Sequence, residues 1–246
     1  MSTNIDISKS NALWKKALEA IPMGTQTFSK MPKQFAEGIS PKFIESGKGC
    51  YVWDIDGNRY LDFLVGHGPI VLGYADEDVN QTVREQLNKG TLFGIPSPLE
   101  EEVASKLIEI IPCAEGVRFG KNGADVTSAA IRIARSVTGR EHVAFCGYHG
   151  WHDWYIANTD LNSGIPKFNR KLTHPFIYNE ISSIEQIFKN YPDSIACVIM
   201  EPVSVHLPEN NFLEEVQKMA HHYGALLVFD EVWTGFRWSL GGAQEY

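Results

Sequence analysis

Apolar residues after about residue 66 follow two different spacings, and these spacings predict strands that alternate with helices. Two short apolar runs indicate strands that are buried on both faces: 195–200, and the first four residues of 226–232, which are followed by Asp230 and Glu231. Between such runs, apolar positions recur at helical spacing, as in 125–137. A β-α-β order of this kind is typical of a largely parallel sheet that is covered by helices. The sequence therefore predicts an α/β fold.

Capping and turn residues set the ends of the predicted elements. Ser97, followed by Pro98 and three glutamates, predicts a helix N-terminus, and Asn211 with Glu214 predicts a capping box. Asp56-Gly57 predicts the turn of a β-hairpin over residues 50–63. The predicted helices are 11–21, 76–89, 97–111, 125–137, 182–190 and 211–223, and the further predicted strands are 117–119 and 142–145.

Two parts of the chain differ in organisation. Residues 1–65 carry one helix and the hairpin, whereas residues 66–246 carry the β-α-β alternation. A loop rich in glycine at residues 66–69 separates them. We therefore expect an N-terminal segment of residues 1–65 and a large domain of residues 66–246.

Composition and charge exclude several classes of protein. The net charge of −8, without any basic block, argues against nucleic acid and membrane partners. No stretch approaches the ~20 apolar residues of a membrane span, and residues 1–11 are too polar for a signal peptide. Four cysteines without close spacing fit reduced thiols rather than disulfides or a zinc framework. We expect a cytoplasmic protein.

Polar residues follow three of the predicted strands. Asp230 and Glu231 end the last strand, Glu201 follows the strand before it, and residues 147–153 follow strand 142–145. Ligands bind outside the carboxyl ends of strands in α/β sheets. An apolar strand that ends in Asp-Glu is typical of P-loop NTPases, where the acid serves the metal. It is equally typical of pyridoxal 5'-phosphate (PLP) enzymes, where the aspartate pairs with the ring nitrogen. A solvated or capping pair of acids is the third alternative.

The segment 116–122 tests the NTPase alternative. It has three residues between its glycines instead of four, and Asn122 stands where a serine or threonine must bind Mg²⁺. Spacing and chemistry both argue against a P-loop. Gly123 and the helix start after it still suit a phosphate, because helix N-termini offer unpaired N–H groups. The same turn can equally be only a tight connection between two elements.

The polar and aromatic residues after strand 142–145 have two possible functional interpretations, a metal site and a site for a planar ring. His149, His152 and Asp153 are candidate metal ligands, but no further residue has ligand spacing, so we expect no metal. Alternatively, the aromatic and imidazole groups of Tyr148 and His149 suit a planar ring. A ligand with a phosphate, a flat ring and a protonated ring nitrogen would contact all these strand ends, and PLP has all three features.

Several ordered motifs carry a family resemblance. They are residues 47–63, 117–127, 130–135, 138–140, 148–150, 201–203 and 229–237. In these motifs the chain, from about Trp14 to its last residue, resembles class III PLP-dependent aminotransferases, in particular glutamate-1-semialdehyde 2,1-aminomutase and its relatives. The resemblance implies a PLP-dependent transferase of fold type I, with a mostly parallel sheet and helices on both faces.

The resemblance also implies which residues contact the cofactor. They are Asn122, Gly123, Ala124, Tyr148, His149, Glu201, Asp230 and Val232. Backbone N–H groups of residues 122–124 would bind the phosphate. Tyr148 and Val232 would lie on the two faces of the ring, with His149 beside it. Asp230 would pair with the ring nitrogen, because a nearby carboxylate keeps that nitrogen protonated.

The implied activity is a ping-pong transfer of an amino group between a small-molecule donor and acceptor, by a homodimer. Glu201 would lie near the ring substituents. Residues 122–124 lack the hydroxyl groups that the family usually has there, which predicts weaker phosphate binding. Residues 23–35 contain Lys30 and Lys33 but no arginine for a substrate carboxylate, and the loop after Glu201 is short. Both features argue against glutamate semialdehyde as the substrate.

The Schiff-base lysine of the family has no counterpart in this chain. It follows the Asp-Glu-Val strand in family members, whereas the last lysine here is Lys218. We therefore expect that the C-terminal part is missing, that no catalytic residue is present, and that residues 1–246 alone are inactive. The expected assembly is a homodimer or a complex with a complementary C-terminal fragment. The alternative is a non-catalytic fragment or interaction protein.

Overall fold

A computed structural model describes residues 5–36 and 38–246, and the chain divides into two compact units between Ile95 and Pro96. The domain boundary near residue 66 therefore stays a prediction. The sequence predicts no signal peptide in residues 1–11. Residues 1–4 of this segment lie outside the described residues. None of the described helices is long and apolar enough to cross a membrane.

The first unit contains a small antiparallel sheet and two long helices. Helix α1 is Ser8–Ala20 and α2 is Glu77–Lys89, and the strands are β1 (Ile44–Lys48), β2 (Tyr51–Asp54) and β3 (Arg59–Leu61), in the order β1-β2-β3. The predicted hairpin is confirmed, because β2 and β3 pair around the turn at residues 55–58. The buried Asp54 side chain stabilises this turn, since its Oδ1 accepts the N–H groups of Asp56 and Asn58 at 3.0 and 2.7 Å.

The second unit contains a parallel sheet. Its helices are α3 (Pro98–Ile110), α4 (Gly123–Thr138), α5 (Asp153–Ile156), α6 (Lys167–Lys171), α7 (Ile181–Asn190) and α8 (Phe212–His222). Its strands are β4 (His142–Cys146), β5 (Thr173–Pro175), β6 (Ile195–Met200) and β7 (Leu226–Phe229), in the order β5-β4-β6-β7. All three pairings are parallel. The predicted α/β fold is confirmed.

Helices cover both faces of this sheet. On one face, apolar side chains of α7 and α8 pack against Ala144, Val198 and Met200. On the other face, α4 and α5 pack against strand residues that include Val143 and Ile199. Neighbouring strand residues point to opposite faces, so the wholly buried β6 contributes to both cores. This arrangement confirms the prediction of helices on both faces.

Three predictions of local structure are wrong. Residues 117–119 form no strand, because they pair with none of the described strands, and Phe119 is exposed. Strand β7 is only half-buried, because it pairs with β6 alone and lies at an edge of the sheet. Asn211 precedes α8 but makes no side-chain cap, since its backbone is left-handed, with φ 58°. Side-chain caps usually need an extended backbone at that position.

Two histidines in the neighbouring strands β4 and β5 predict a pH-dependent stability. His142 Nδ1 and His174 Nε2 are 2.8 Å apart, and burial together with His142 lowers the pKa of His174 from 6.5 to about 4. The neutral ring therefore stabilises the fold fully above pH 6.5, and that contribution is lost as the pH falls towards 4. Discounted for solvent screening, the loss is about 1–2 kcal/mol, or a fall in Tm of about 3–6 °C.

Thermal unfolding of the chain between pH 7 and pH 4 checks this expectation. A variant with His142→Gln and His174→Gln removes both rings and should show a smaller fall in Tm over the same range. His221→Ala replaces an exposed histidine of α8 and serves as the control. An equal pH dependence in the double variant and in the original chain would contradict the prediction.

Candidate functional site

The predicted site residues lie where the parallel strands β4, β6 and β7 end. This carboxyl-terminal side of the sheet is called the sheet edge, and it is distinct from the outer strand β7. Tyr148 and His149 follow β4, Glu201 follows β6, and Asp230 follows β7. The parallel register of these strands carries all three ends to the same edge. The end of each strand therefore presents at least one polar side chain to the same region, as the sequence predicts.

His149 and Asp230 form a buried pair at this edge. His149 Nδ1 is 2.8 Å from Asp230 Oδ2, and both side chains are almost fully buried. His149 Nε2 donates to the Cys146 carbonyl at 3.0 Å, while the N–H of Val232 donates to Asp230 Oδ1 at 3.0 Å. A carboxylate has about four lone-pair positions. Asp230 therefore keeps acceptor capacity for a further donor, such as a protonated ring nitrogen.

Glu201 fixes the loop after β4. Its Oε1 accepts the N–H of Tyr148 at 3.2 Å, and a Cβ at Gly147 would lie 2.9 Å from the same oxygen. Gly147 has φ +102°, which favours glycine as well. Burial, with a further contribution from Asp230, raises the pKa of Glu201. A second acid thus lies close to Asp230 at the sheet edge.

Tyr148 and Val232 present exposed apolar surface at this edge. Their relative exposures are 62% and 60%, although both residues lie within two positions of the buried pair in sequence. The Tyr148 ring packs edge-on against Tyr155 at 5.5 Å, and Tyr155 donates through its hydroxyl to the Gly147 carbonyl at 3.0 Å. Apolar faces that are held in place but open to solvent suit contact with a flat ring.

The N-terminus of α4 joins the same cluster. A Cβ at Gly123 would lie 3.1 Å from Val232 Cγ2, and a Cβ at Gly150 would lie 2.6 Å from Ala124 Cβ. Within residues 5–36 and 38–246, the backbone N–H groups of Gly123 and Ala124 have no protein acceptor. Asn122 precedes them and is exposed. The start of α4 therefore offers unpaired donors and the positive end of the helix dipole to an anion.

The structure brings the predicted residues of the second unit together. All eight candidates, Asn122, Gly123, Ala124, Tyr148, His149, Glu201, Asp230 and Val232, lie at this edge through the contacts above or through chain neighbours. The described residues, which include His149, His152 and Asp153, contain no group of three His, Cys, Asp or Glu that could hold a metal ion. His152 instead contacts Ser128.

Two supporting residues were missed in the sequence. Thr127 Oγ1 donates to the His149 carbonyl at 2.9 Å and links α4 to the loop after β4. Tyr155 supports that loop from α5. Thr127 lies one helical turn after Ala124, which is the signal that could have placed it beside the site. Tyr155 carries no comparable signal in the sequence.

Comparison with known proteins identifies the family. The family described as "Aminotransferase class-III" matches residues 35–243. Among curated proteins, the chain is 37% identical to a 3-aminobutyryl-CoA aminotransferase of Cloacimonas acidaminovorans, covering 100% of this chain and 60% of that protein. It is 40% identical to a glutamate-1-semialdehyde 2,1-aminomutase of Syntrophobacter fumaroxidans, covering 97% and 58%. The chain thus spans about three fifths of the length of these relatives.

Solved structures support the same family. An omega-transaminase from Sphaerobacter thermophilus aligns with a TM-score of 0.86 at 27% identity, over 96% of this chain and 57% of that chain. A transaminase with PLP bound aligns with a TM-score of 0.90 at 27% identity, over 98% and 59%. The cofactor implied by this family is PLP, which the residues at the sheet edge fit. The chain belongs to the class III aminotransferases.

Proposed function

We propose that residues 1–246 form the cofactor-binding part of a class III PLP-dependent aminotransferase or aminomutase. The observation that carries this proposal is the buried His149–Asp230 pair, at 2.8 Å, with two exposed apolar side chains close to it in the chain and the start of α4 in contact with one of them. A carboxylate, a flat apolar contact and an anion site match the ring nitrogen, the ring and the phosphate of PLP. The sheet edge offers these three groups within one cluster.

Each residue has a role that follows from its surroundings. Asp230 accepts a hydrogen bond from the ring nitrogen, and His149 holds the carboxylate in place. Tyr148 and Val232 exclude water from the two faces of the ring. Residues 122–124 bind the phosphate through backbone N–H groups. The bound cofactor supplies an electron sink for reactions at the α-carbon of an amino compound.

The proposed reaction transfers an amino group between a small-molecule donor and a small-molecule acceptor. Relatives in the comparison include an aminobutyryl-CoA aminotransferase and aminomutases that are named for glutamate semialdehyde. Residues 23–35 contain no arginine for a substrate carboxylate, so we propose a substrate other than glutamate semialdehyde. Turnover of a panel of amino donors by the complete enzyme tests this; a clear preference for glutamate semialdehyde would contradict it.

Residues 1–246 alone are expected to bind the cofactor but not to transfer amino groups. All lysines between residues 96 and 246 are exposed, and none makes a recorded contact with the His149–Asp230 pair. None of these lysines is thus in place to hold the cofactor covalently and to move the proton. Binding is measured with pyridoxine 5'-phosphate, which has no aldehyde and does not react with surface lysines.

Two results would count against the proposal in different ways. Failure to bind pyridoxine 5'-phosphate more tightly than pyridoxine would contradict the proposed cofactor site. Amino transfer by purified residues 1–246 would contradict the absence of a catalytic lysine. Lys121→Ala is the informative variant in that case, because Lys121 precedes the proposed phosphate site.

We also propose that the chain assembles as a homodimer or with a complementary C-terminal fragment. Exposed apolar side chains follow Val232 in the segment after β7; they include Trp233, Phe236, Trp238 and Leu240. Such a concentration of apolar surface is typical of an interface. Sedimentation of the purified chain tests this, and a monomer of 27.6 kDa that recruits no added C-terminal fragment would contradict it.

A further inference from the structure

Helices α3 and α4 carry an acidic residue at the same position, the third of the helix, but use it differently. In α3, Glu100 Oε1 accepts the backbone N–H of Ser97 at 2.9 Å, which closes a capping box. Asp125 is the third residue of α4, and Asn122 precedes the helix without a side-chain cap. In the part of the chain that the structure describes, Asp125 accepts no backbone N–H of its own helix.

Two side chains hold the Asp125 carboxylate away from the helix end. Asn122 Nδ2 donates to Asp125 Oδ2 at 3.2 Å. His152 Nε2 lies 3.8 Å from Asp125 Oδ1. His152 belongs to a different element, since it directly precedes α5. The carboxylate is therefore held from outside its own helix.

A chain of hydrogen bonds orients the His152 ring. Trp154 Nε1 donates to Ser128 Oγ at 3.0 Å, and an indole nitrogen can only donate. Ser128 Oγ is also 2.7 Å from His152 Nδ1, and among the described residues its hydrogen has no other recorded acceptor. Donation from Ser128 to Nδ1 is the assignment that gives this hydroxyl hydrogen an acceptor, and it leaves the ring hydrogen on Nε2. That nitrogen faces Asp125.

We infer that His152 is a positioning residue that holds the Asp125 carboxylate off the backbone N–H groups at the start of α4, so that these groups stay available to the cofactor phosphate. This inference rests on the proposed function. An acid at this position can accept the N–H of the capping residue, as Glu100 does in α3. It would then occupy a donor and place negative charge against the phosphate. Ser128 and Trp154 act through His152.

The test compares two ligands that differ only in the phosphate, pyridoxine 5'-phosphate and pyridoxine. The ratio of their dissociation constants measures the contribution of the phosphate. His152→Ala is expected to lower this ratio about 3- to 10-fold, because Asp125 becomes free to turn towards the helix end. The affinity for pyridoxine should not change. In an Asp125→Ala background, His152→Ala should change the ratio by less than about twofold.

Matched variants keep the test decisive. His221→Ala replaces an exposed histidine on α8 and should leave the ratio unchanged. If His152→Ala does not fold, Ser128→Ala keeps the ring but removes its hydrogen-bond partner, and it should lower the ratio by a smaller factor. An effect of His152→Ala that persists without Asp125, or no effect at all, would overturn the inference. If the original chain shows no preference for the phosphate ester, the proposed phosphate site itself fails.

Discussion

Asp230→Ala is expected to lower the free energy of unfolding by about 3–5 kcal/mol, because it leaves a buried histidine without its partner. The two side chains are 2.8 Å apart, with side-chain exposures of 0% for His149 and 4% for Asp230. The substitution also removes the acceptor for the Val232 N–H. Urea unfolding measures the loss, and binding of pyridoxine 5'-phosphate should weaken by about tenfold or more, since the ring nitrogen loses its carboxylate.

Comparison variants isolate the pair. Asp160→Ala replaces an exposed aspartate and should change stability by less than about 0.5 kcal/mol. The double variant Asp230→Ala, His149→Ala should lose less than the sum of the single losses, because neither partner is then left alone. If Asp230→Ala unfolds within about 0.5 kcal/mol of the original chain, the pair does not stabilise the site as we describe.

Gly150→Ala is expected to cost about 3 kcal/mol, through backbone strain and overpacking together. Gly150 has φ +104°, which an alanine adopts only under strain, and a Cβ there would lie 2.6 Å from Ala124 Cβ and 2.9 Å from Ala124 Cα. The loop after β4 cannot move away easily, because Thr127 bonds to the His149 carbonyl. The clash should displace the start of α4 and weaken binding of pyridoxine 5'-phosphate.

Gly164→Ala is the matched control for this prediction. Gly164 has a comparable backbone, with φ +84°, but a Cβ there would meet nothing within 4 Å. It should therefore cost only the backbone strain, about 1 kcal/mol. The difference between the two variants in urea unfolding measures the steric contact with Ala124. Equal losses would show that packing between α4 and the loop does not restrict this position.

The sequence alone determined most of the longer helices and strands, because their signals lie within a few residues. Alternating apolar runs predicted the parallel sheet, and Ser97 with Pro98 and the glutamates after it predicted the start of α3. Asp56-Gly57 placed the hairpin turn. The sequence also indicated the site residues, because polar side chains follow three of the predicted strands. Where a local signal was weak, as at 117–119, a strand was predicted that finds no partner.

The tertiary structure alone decided which of these residues meet. His149 and Asp230 are 81 positions apart, and Tyr148 and Glu201 are 53 apart, so their contacts depend on strand order and register. The position of β7 as an outer strand also depends on the strand order of the whole sheet. The contact between Asp125 and His152 likewise joins residues from different elements. Periodicity and capping act within a few residues of the chain, whereas contacts between distant residues arise only when the sheet and its helices pack together.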